Sequence, residues 1–152
     1  MDDSAKPKLV GINHVAIEVG DIDQGLDFYG RIFEFKLRGR SARSAFIDIG
    51  DQFINMTLFP EGKEPHPTTE RRHIGFVVDD RSTVIERIKA AGGRMVEGPF
   101  LDFLDPWGNR IEVVEYQNVQ FTKAPHVMRG MGVSLDKNEN ARRELAEKGM
   151  GE

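Results

Sequence analysis

One stretch of this chain is followed, about half a chain later, by another of the same pattern. NHVAIEVGD, starting at Asn13, matches RHIGFVVDD, starting at Arg72, so that His73 lies 59 positions after His14. Further on, QFINMTL matches NRIEVVE with Asn55 over Glu112, 57 positions apart, and a tight-turn pair precedes each run, Gly50-Asp51 and Gly108-Asn109. Two offsets that nearly agree at opposite ends of a unit indicate an internal repeat of about 50 residues. Neither copy is large enough to bury a core of its own, and a 152-residue chain has room for two such units sharing one.

Each unit reads as strand, helix and three strands. Residues 10–19 alternate, with Val15, Ile17 and Val19 on one face and His14, Ala16 and Glu18 on the other. Asp21 with Gln24 three residues on is a helix-start signature, and Ile22, Leu26, Tyr29, Ile32 and Phe33 follow at helical spacing. Strands are expected around Lys36 to Arg38, in SAFIDIG and in QFINMTLF. PEGKEPHPTTE, with three prolines, reads as a linker. The second unit has a strand with Ile74, Phe76 and Val78 on one face and a helix, STVIERIKAAGG, closed by Gly92 and Gly93. GRMVEG, FLDFL and NRIEVVEY complete it. The expected fold class is α+β: two tandem βαβββ modules, 10–59 and 71–116, forming a curved mixed sheet with helices on its outer face, after a disordered start at 1–9.

Residues 117–152 form a C-terminal arm. Phe121, Val127, Met128, Met131, Val133 and Leu135 are too many apolar groups for a solvated tail, so the arm is expected to pack on the domain or on a second subunit. NENARRELAEKG reads as a short helix capped by Asn138 and stopped by Gly149.

Composition narrows the chemistry. The chain has no Cys, which excludes disulfides, thiolate metal sites and cysteine nucleophiles. With 21 Lys and Arg against 25 Asp and Glu, its net charge of -4 gives no electrostatic reason to expect a nucleic acid or an anionic membrane as partner. The opening MDDSAKPK leads into no apolar run and no later segment reaches a membrane span, so a cytoplasmic protein is expected.

Strand parity makes a geometric prediction. If Val15, Ile17 and Val19 face the helices, His14 faces the concave side, and so does His73. In the last strand Ile111 and Val113 take the helix side, leaving Glu112, Val114 and Tyr116 on the concave one, with Asn55 at the matching place in the first unit. His14, His73 and Glu112 are thus expected in one cavity. Two imidazoles and a carboxylate are a ligand set for Zn(II), Mn(II), Ni(II) and non-haem Fe(II). Burying a carboxylate beside two imidazoles is costly unless a cation sits among them.

These motifs, in this order, resemble those of the vicinal oxygen chelate superfamily, which includes glyoxalases, bleomycin-resistance proteins and extradiol dioxygenases. The likeness covers about residues 10–116. It implies the same three metal ligands, His14, His73 and Glu112, and places Asn55 where glyoxalases carry a glutamate that serves as ligand and proton shuttle. The remaining His, His, Glu set is similar to that of fosfomycin-resistance thiol transferases and extradiol dioxygenases, although the transferases' hydroxyl two residues after the first ligand is Ala16 here. The resemblance implies a divalent metal ion as cofactor, a small oxygen-bearing substrate chelated by it, lyase, isomerase or dioxygenase chemistry, and pairing into a homodimer. The alternative within the same superfamily is a metal-free protein that sequesters a small molecule.

Further residues join the candidate site. Glu18, on the face of His14, is a candidate base, and Tyr116 a candidate proton donor beside Glu112. Asn55, with Arg38 and Arg40 from the basic cluster that also holds Arg43, is a candidate substrate contact, the arginines clamping a carboxylate or phosphate. His126 in the arm is set to reach a partner's cavity or lie at the surface, and Trp107 is expected in a turn packed on the surface.

Overall fold

The structure, a computed structural model, describes residues 12–61 and 72–152. The expected disordered start and most of the Pro-rich linker lie outside the described residues. The first module comprises β1 (His14–Val19), α1 (Ile22–Ile32), β2 (Lys36–Arg40), β3 (Ser44–Asp48) and β4 (Phe53–Leu58). The second comprises β5 (Ile74–Val78), α2 (Val84–Ala91), β6 (Arg94–Val96), β7 (Asp102–Leu104) and β8 (Arg110–Glu115). A 3₁₀ turn (Tyr116–Asn118), α3 (Pro125–Met131) and α4 (Glu139–Glu147) form the arm.

Hydrogen bonding divides the strands into two four-stranded mixed sheets, ordered β1-β4-β3-β2 and β5-β8-β7-β6. The repeat is exact at the level of register. β1 runs parallel to β4 with Ala16 opposite Asn55, and β5 runs parallel to β8 with Gly75 opposite Glu112, so the residue two after each histidine faces the fourth-strand position of its module. The matching turns also agree, since Gly50 and Gly108 both have positive φ, 91° and 85°.

Local chemistry fixes the helices. Asp21 caps α1 by accepting the Gln24 N–H at 2.8 Å, and the helix ends where Phe33 becomes extended. Gly25 lowers helix propensity, but a Cβ there would stand 2.6 Å from Met56 Sδ, so its absence lets α1 lie close on β4. Gly92, left-handed at φ 86°, closes α2.

Both modules bury their apolar faces in one core. Ile17, Val19, Ile47 and Met56 of the first sheet, Phe103, Ile111 and Val113 of the second, and Phe28, Tyr29 and Ile88 of the helices belong to it. α1 touches both sheets, packing Phe28 near Phe103 and Phe33 near Phe76, and the Arg31 guanidinium donates to the Ala90 carbonyl of α2. The helix layer therefore lies between the two sheets, and the residues that alternate with the core positions face away from it.

The arm packs back onto the first module. Lys123 Nζ bonds Asp51, and Val127 and Met131 lie against Gly50, while Asn138 caps α4 through the Ala141 N–H. The Lys123 hydrogen bond holds the Asp51 carboxyl below its ordinary range. Among the described residues no helix is long and apolar enough to cross a membrane.

Candidate metal centre

The second module brings two expected ligands together. His73 Nε2 lies 3.1 Å from Glu112 Oε2, with the histidine side chain 42% exposed and the carboxylate 19%. His73 immediately precedes β5, and Glu112 sits in mid-β8 opposite Gly75. A Cβ on Gly75 would meet nothing within 4 Å, so the surface beside Glu112 is open on that side.

His14 occupies the matching place in the first module. Its Nδ1 lies 2.8 Å from Asn13 Oδ1; with that oxygen as acceptor, Nδ1 carries the hydrogen and Nε2 keeps its lone pair. The imidazole stacks on Phe53 at 4.7 Å and 11°, and Phe46 meets Phe53 edge-on at 5.8 Å. Arg38 completes this wall, its guanidinium 5.1 Å from the Phe53 ring centroid.

Among the described residues no group of three or more His, Asp or Glu side chains is placed to hold a metal ion. Within one chain the expected single cavity for His14, His73 and Glu112 is therefore not formed. The reason is the helix layer: each ligand-bearing sheet face looks away from it, so one chain offers a pair on one face and a single imidazole on the other. By donor chemistry His73 and Glu112 fit a divalent ion as two ligands of an incomplete set.

The remaining candidates fall in different places. Glu18 is half-buried in β1 on the face of His14. Asn55 lies on that face too, and its Oδ1 is buried without a partner. Arg38 and Arg40 both belong to β2, which runs on past the expected Arg38, and only Arg38 joins the aromatic wall, because Arg40 turns to Asp23 of α1. Tyr116 leaves the strand for the 3₁₀ turn and is buried at 4% exposure. Its hydroxyl accepts the Lys123 N–H at 3.3 Å, and Lys137 Nζ sits 3.4 Å over its ring, with desolvation pushing that ammonium down to about 8. His126 is exposed in α3. Trp107 lies in the expected turn, half-buried, and packs against Gly20, where a Cβ would be 2.7 Å from Nε1, so it also joins the modules.

Sequence reasoning passed over two acids in FLDFLD. Asp105, 2% exposed, accepts from the Tyr29 hydroxyl, the Trp107 and Asn109 N–H groups and Asn109 Nδ2. Asp102, 3% exposed, stands opposite Glu112 across β7 and β8. The available signal was an acid on either side of the apolar pair Phe103-Leu104, Asp102 at the start of β7 and Asp105 just past its end.

Comparison with known proteins places the chain among relatives of the same fold. The sequence profile of the Glyoxalase/Bleomycin resistance protein/Dioxygenase superfamily matches residues 11–113. The chain is 25% identical over 114 residues to glutathione transferase FosA of Serratia marcescens, covering 69% of this chain and 80% of that protein. It is 28% identical over 121 residues to a lactoylglutathione lyase of Neisseria meningitidis, covering 67% and 88%. These relatives are enzymes. Among solved structures it shares its fold with the fosfomycin resistance protein FosX of Listeria monocytogenes, complexed with Mn(II) and dihydroxypropylphosphonic acid, at TM-score 0.58 and 22% identity over 70% of this chain and 90% of that one.

Proposed function

The chain belongs to the glyoxalase, bleomycin resistance protein and dioxygenase superfamily, and from that premise we propose that it is a divalent-metal-dependent enzyme acting on a small substrate held through its oxygens. The observation that carries this reading is the His73 Nε2–Glu112 Oε2 pair at 3.1 Å, set on an outward sheet face beside the open space at Gly75. A bound ion of the Fe(II), Zn(II), Mn(II) or Ni(II) type would supply Lewis acidity, or oxygen activation if it is iron, to a lyase, isomerase or dioxygenase reaction.

His14 of a second copy completes the ligand set. A twofold axis that lays the first-module face of one chain on the second-module face of another brings His14 to His73 and Glu112 twice, in two equivalent sites. The same packing covers Phe46 and Phe53, which a lone chain leaves partly in water. Around the site, Arg38 binds an acidic group of the substrate, Asn55 orients it and Glu18 stands as the base on the face of His14.

A competing reading is a metal-free binder of an aromatic compound, and the wall of Phe46, Phe53 and Arg38 supports it. Elemental analysis separates the two: tag-free protein reconstituted with each of the four ions is expected to hold close to one ion per chain, and His73→Ala to lose it. A wild type that binds none of them leaves the binding protein as the surviving reading.

A further inference from the structure

The repeat breaks at the residue that stands beside each histidine. Val15 pairs with Ile54 and Ile74 with Ile111, so Phe53 of β4 and Arg110 of β8 hold matching places. Arg110 turns to Asp102, and His73 meets Glu112. Phe53 instead lays its ring along the His14 imidazole, 4.7 Å away and within 11° of parallel. It is half-buried on the outward face of its sheet and belongs to no part of the shared core. Its packing is therefore with its neighbours on that face.

His14 is the ligand that most needs orienting. It is exposed on β1, which forms one edge of its sheet. An imidazole in that place has two torsions to fix. The contact with Asn13 Oδ1 at 2.8 Å decides which nitrogen is bonded and which is free, and the Phe53 ring fixes the plane of the imidazole. Phe53 is itself held, since Phe46 meets it edge-on at 5.8 Å and the Arg38 guanidinium lies 5.1 Å from its centroid. In the sheet β4 lies between β1 and β2, so His14 and Arg38 reach Phe53 from opposite sides of its strand. A ligand fixed in this way loses little rotamer freedom when an ion binds, which matters most for the histidine that a second copy supplies.

We infer that Phe53 is a positioning residue for His14, its stacked ring holding the imidazole with Nε2 free to bind the ion. The inference rests on the functional reading above. Phe53 acts through His14, so its effect on the ion vanishes when His14 is absent.

The test is a double-mutant cycle on full-length protein: wild type, Phe53→Leu, His14→Ala and the double variant. Each is titrated with Mn(II) by spin resonance at a concentration where light scattering gives a dimeric mass. Phe53→Leu is expected to weaken Mn(II) binding about tenfold. Phe53→Tyr, which keeps a ring to stack, is expected to stay within about threefold of wild type. In the His14→Ala background Phe53→Leu is expected to change the affinity by less than about twofold. A loss that persists without His14, or one as large in Phe53→Tyr as in Phe53→Leu, overturns the inference. If Phe53→Leu does not fold or pair, Phe53→Ile, which suits a strand better, takes its place, and failure of both assigns Phe53 to stability and overturns the inference as well. Wild type that binds no Mn(II) brings down the functional reading and this inference with it. His14→Ala that binds Mn(II) as tightly as wild type removes His14 from the site, and the inference falls too. Mn(II) binding that needs His14 but is unchanged in Phe53→Leu brings down the inference alone.

Discussion

The Tyr29 hydroxyl donates to Asp105 Oδ2 at 2.7 Å, joining residues 76 apart in sequence and in different modules. Asn109 Nδ2 bonds the same oxygen at 2.7 Å and reaches across to the Glu18 carbonyl at 2.9 Å, so one buried carboxylate ties both sheets to α1. Tyr29→Phe removes one donor and is expected to cost about 2 kcal/mol of unfolding free energy. Asp105→Asn sets an NH2 group against existing donors and is expected to cost about 3 kcal/mol. Urea unfolding measures both, and a change below a few tenths would show that the contact contributes nothing.

That carboxylate also gives a pH dependence. Burial raises the Asp105 carboxyl above its ordinary value, only partly countered by the donors around it. An acid with a higher pKa in the folded state binds more protons folded than unfolded in the interval between the two values. Its contribution to stability therefore falls as pH rises through that interval. Asn does not titrate, so the penalty of Asp105→Asn is expected to be larger at about pH 4.5 than at about pH 7. A penalty that shrinks on acidification would contradict the raised pKa.

The His73–Glu112 pair is the part of the proposed metal site that a single chain supplies. Glu112→Gln is expected to weaken binding by at least about 100-fold with the fold intact by circular dichroism.

Sharing of the site between copies predicts complementation. His14→Ala and Glu112→Gln proteins each lack one ligand in every site when alone. Mixed and re-equilibrated, half of the dimers pair one of each, and one of their two sites is then whole, restoring about a quarter of wild-type metal binding. No recovery from a mixture that has exchanged subunits, or a monomeric mass by light scattering at micromolar concentration, excludes the shared site.

Gly75 faces open space opposite Glu112. Gly75→Val is expected to preserve or slightly raise thermal stability, since valine suits a strand better, while blocking ligand access to Glu112. Unchanged binding of a chelating ligand to the metal-loaded variant would show that the opening plays no part.

Much of this was legible in the residues themselves. Alternation in VAIEV and RIEVVE placed Ile17, Val19, Ile111 and Val113 in the core, and all four are buried there. Asp21 caps α1, and Asn138 caps α4, because capping is a contact over three residues and leaves its mark in local sequence. The arginine cluster was not resolved the same way. Whether Arg38 or Arg40 faces the site depends on the bulge in β2 between Leu37 and Gly39, which shifts the register against β3. Tyr116 shares the parity of Glu112, but the strand stops at Glu115 and the arm buries the ring.

The sequence by itself determined the two modules, their order of elements and the superfamily, because a repeat, a period of two or 3.6 and a capping residue are all written in neighbouring positions. It also put His14, His73 and Glu112 on strand faces opposite the core. Only the tertiary structure decided how those faces relate. By packing α1 against both sheets it set the two ligand-bearing faces looking outward, so that His73 meets Glu112 within the chain and His14 does not join them. Parity fixes the side of a strand on which a residue stands, whereas the side of the molecule depends on contacts between residues far apart in the chain.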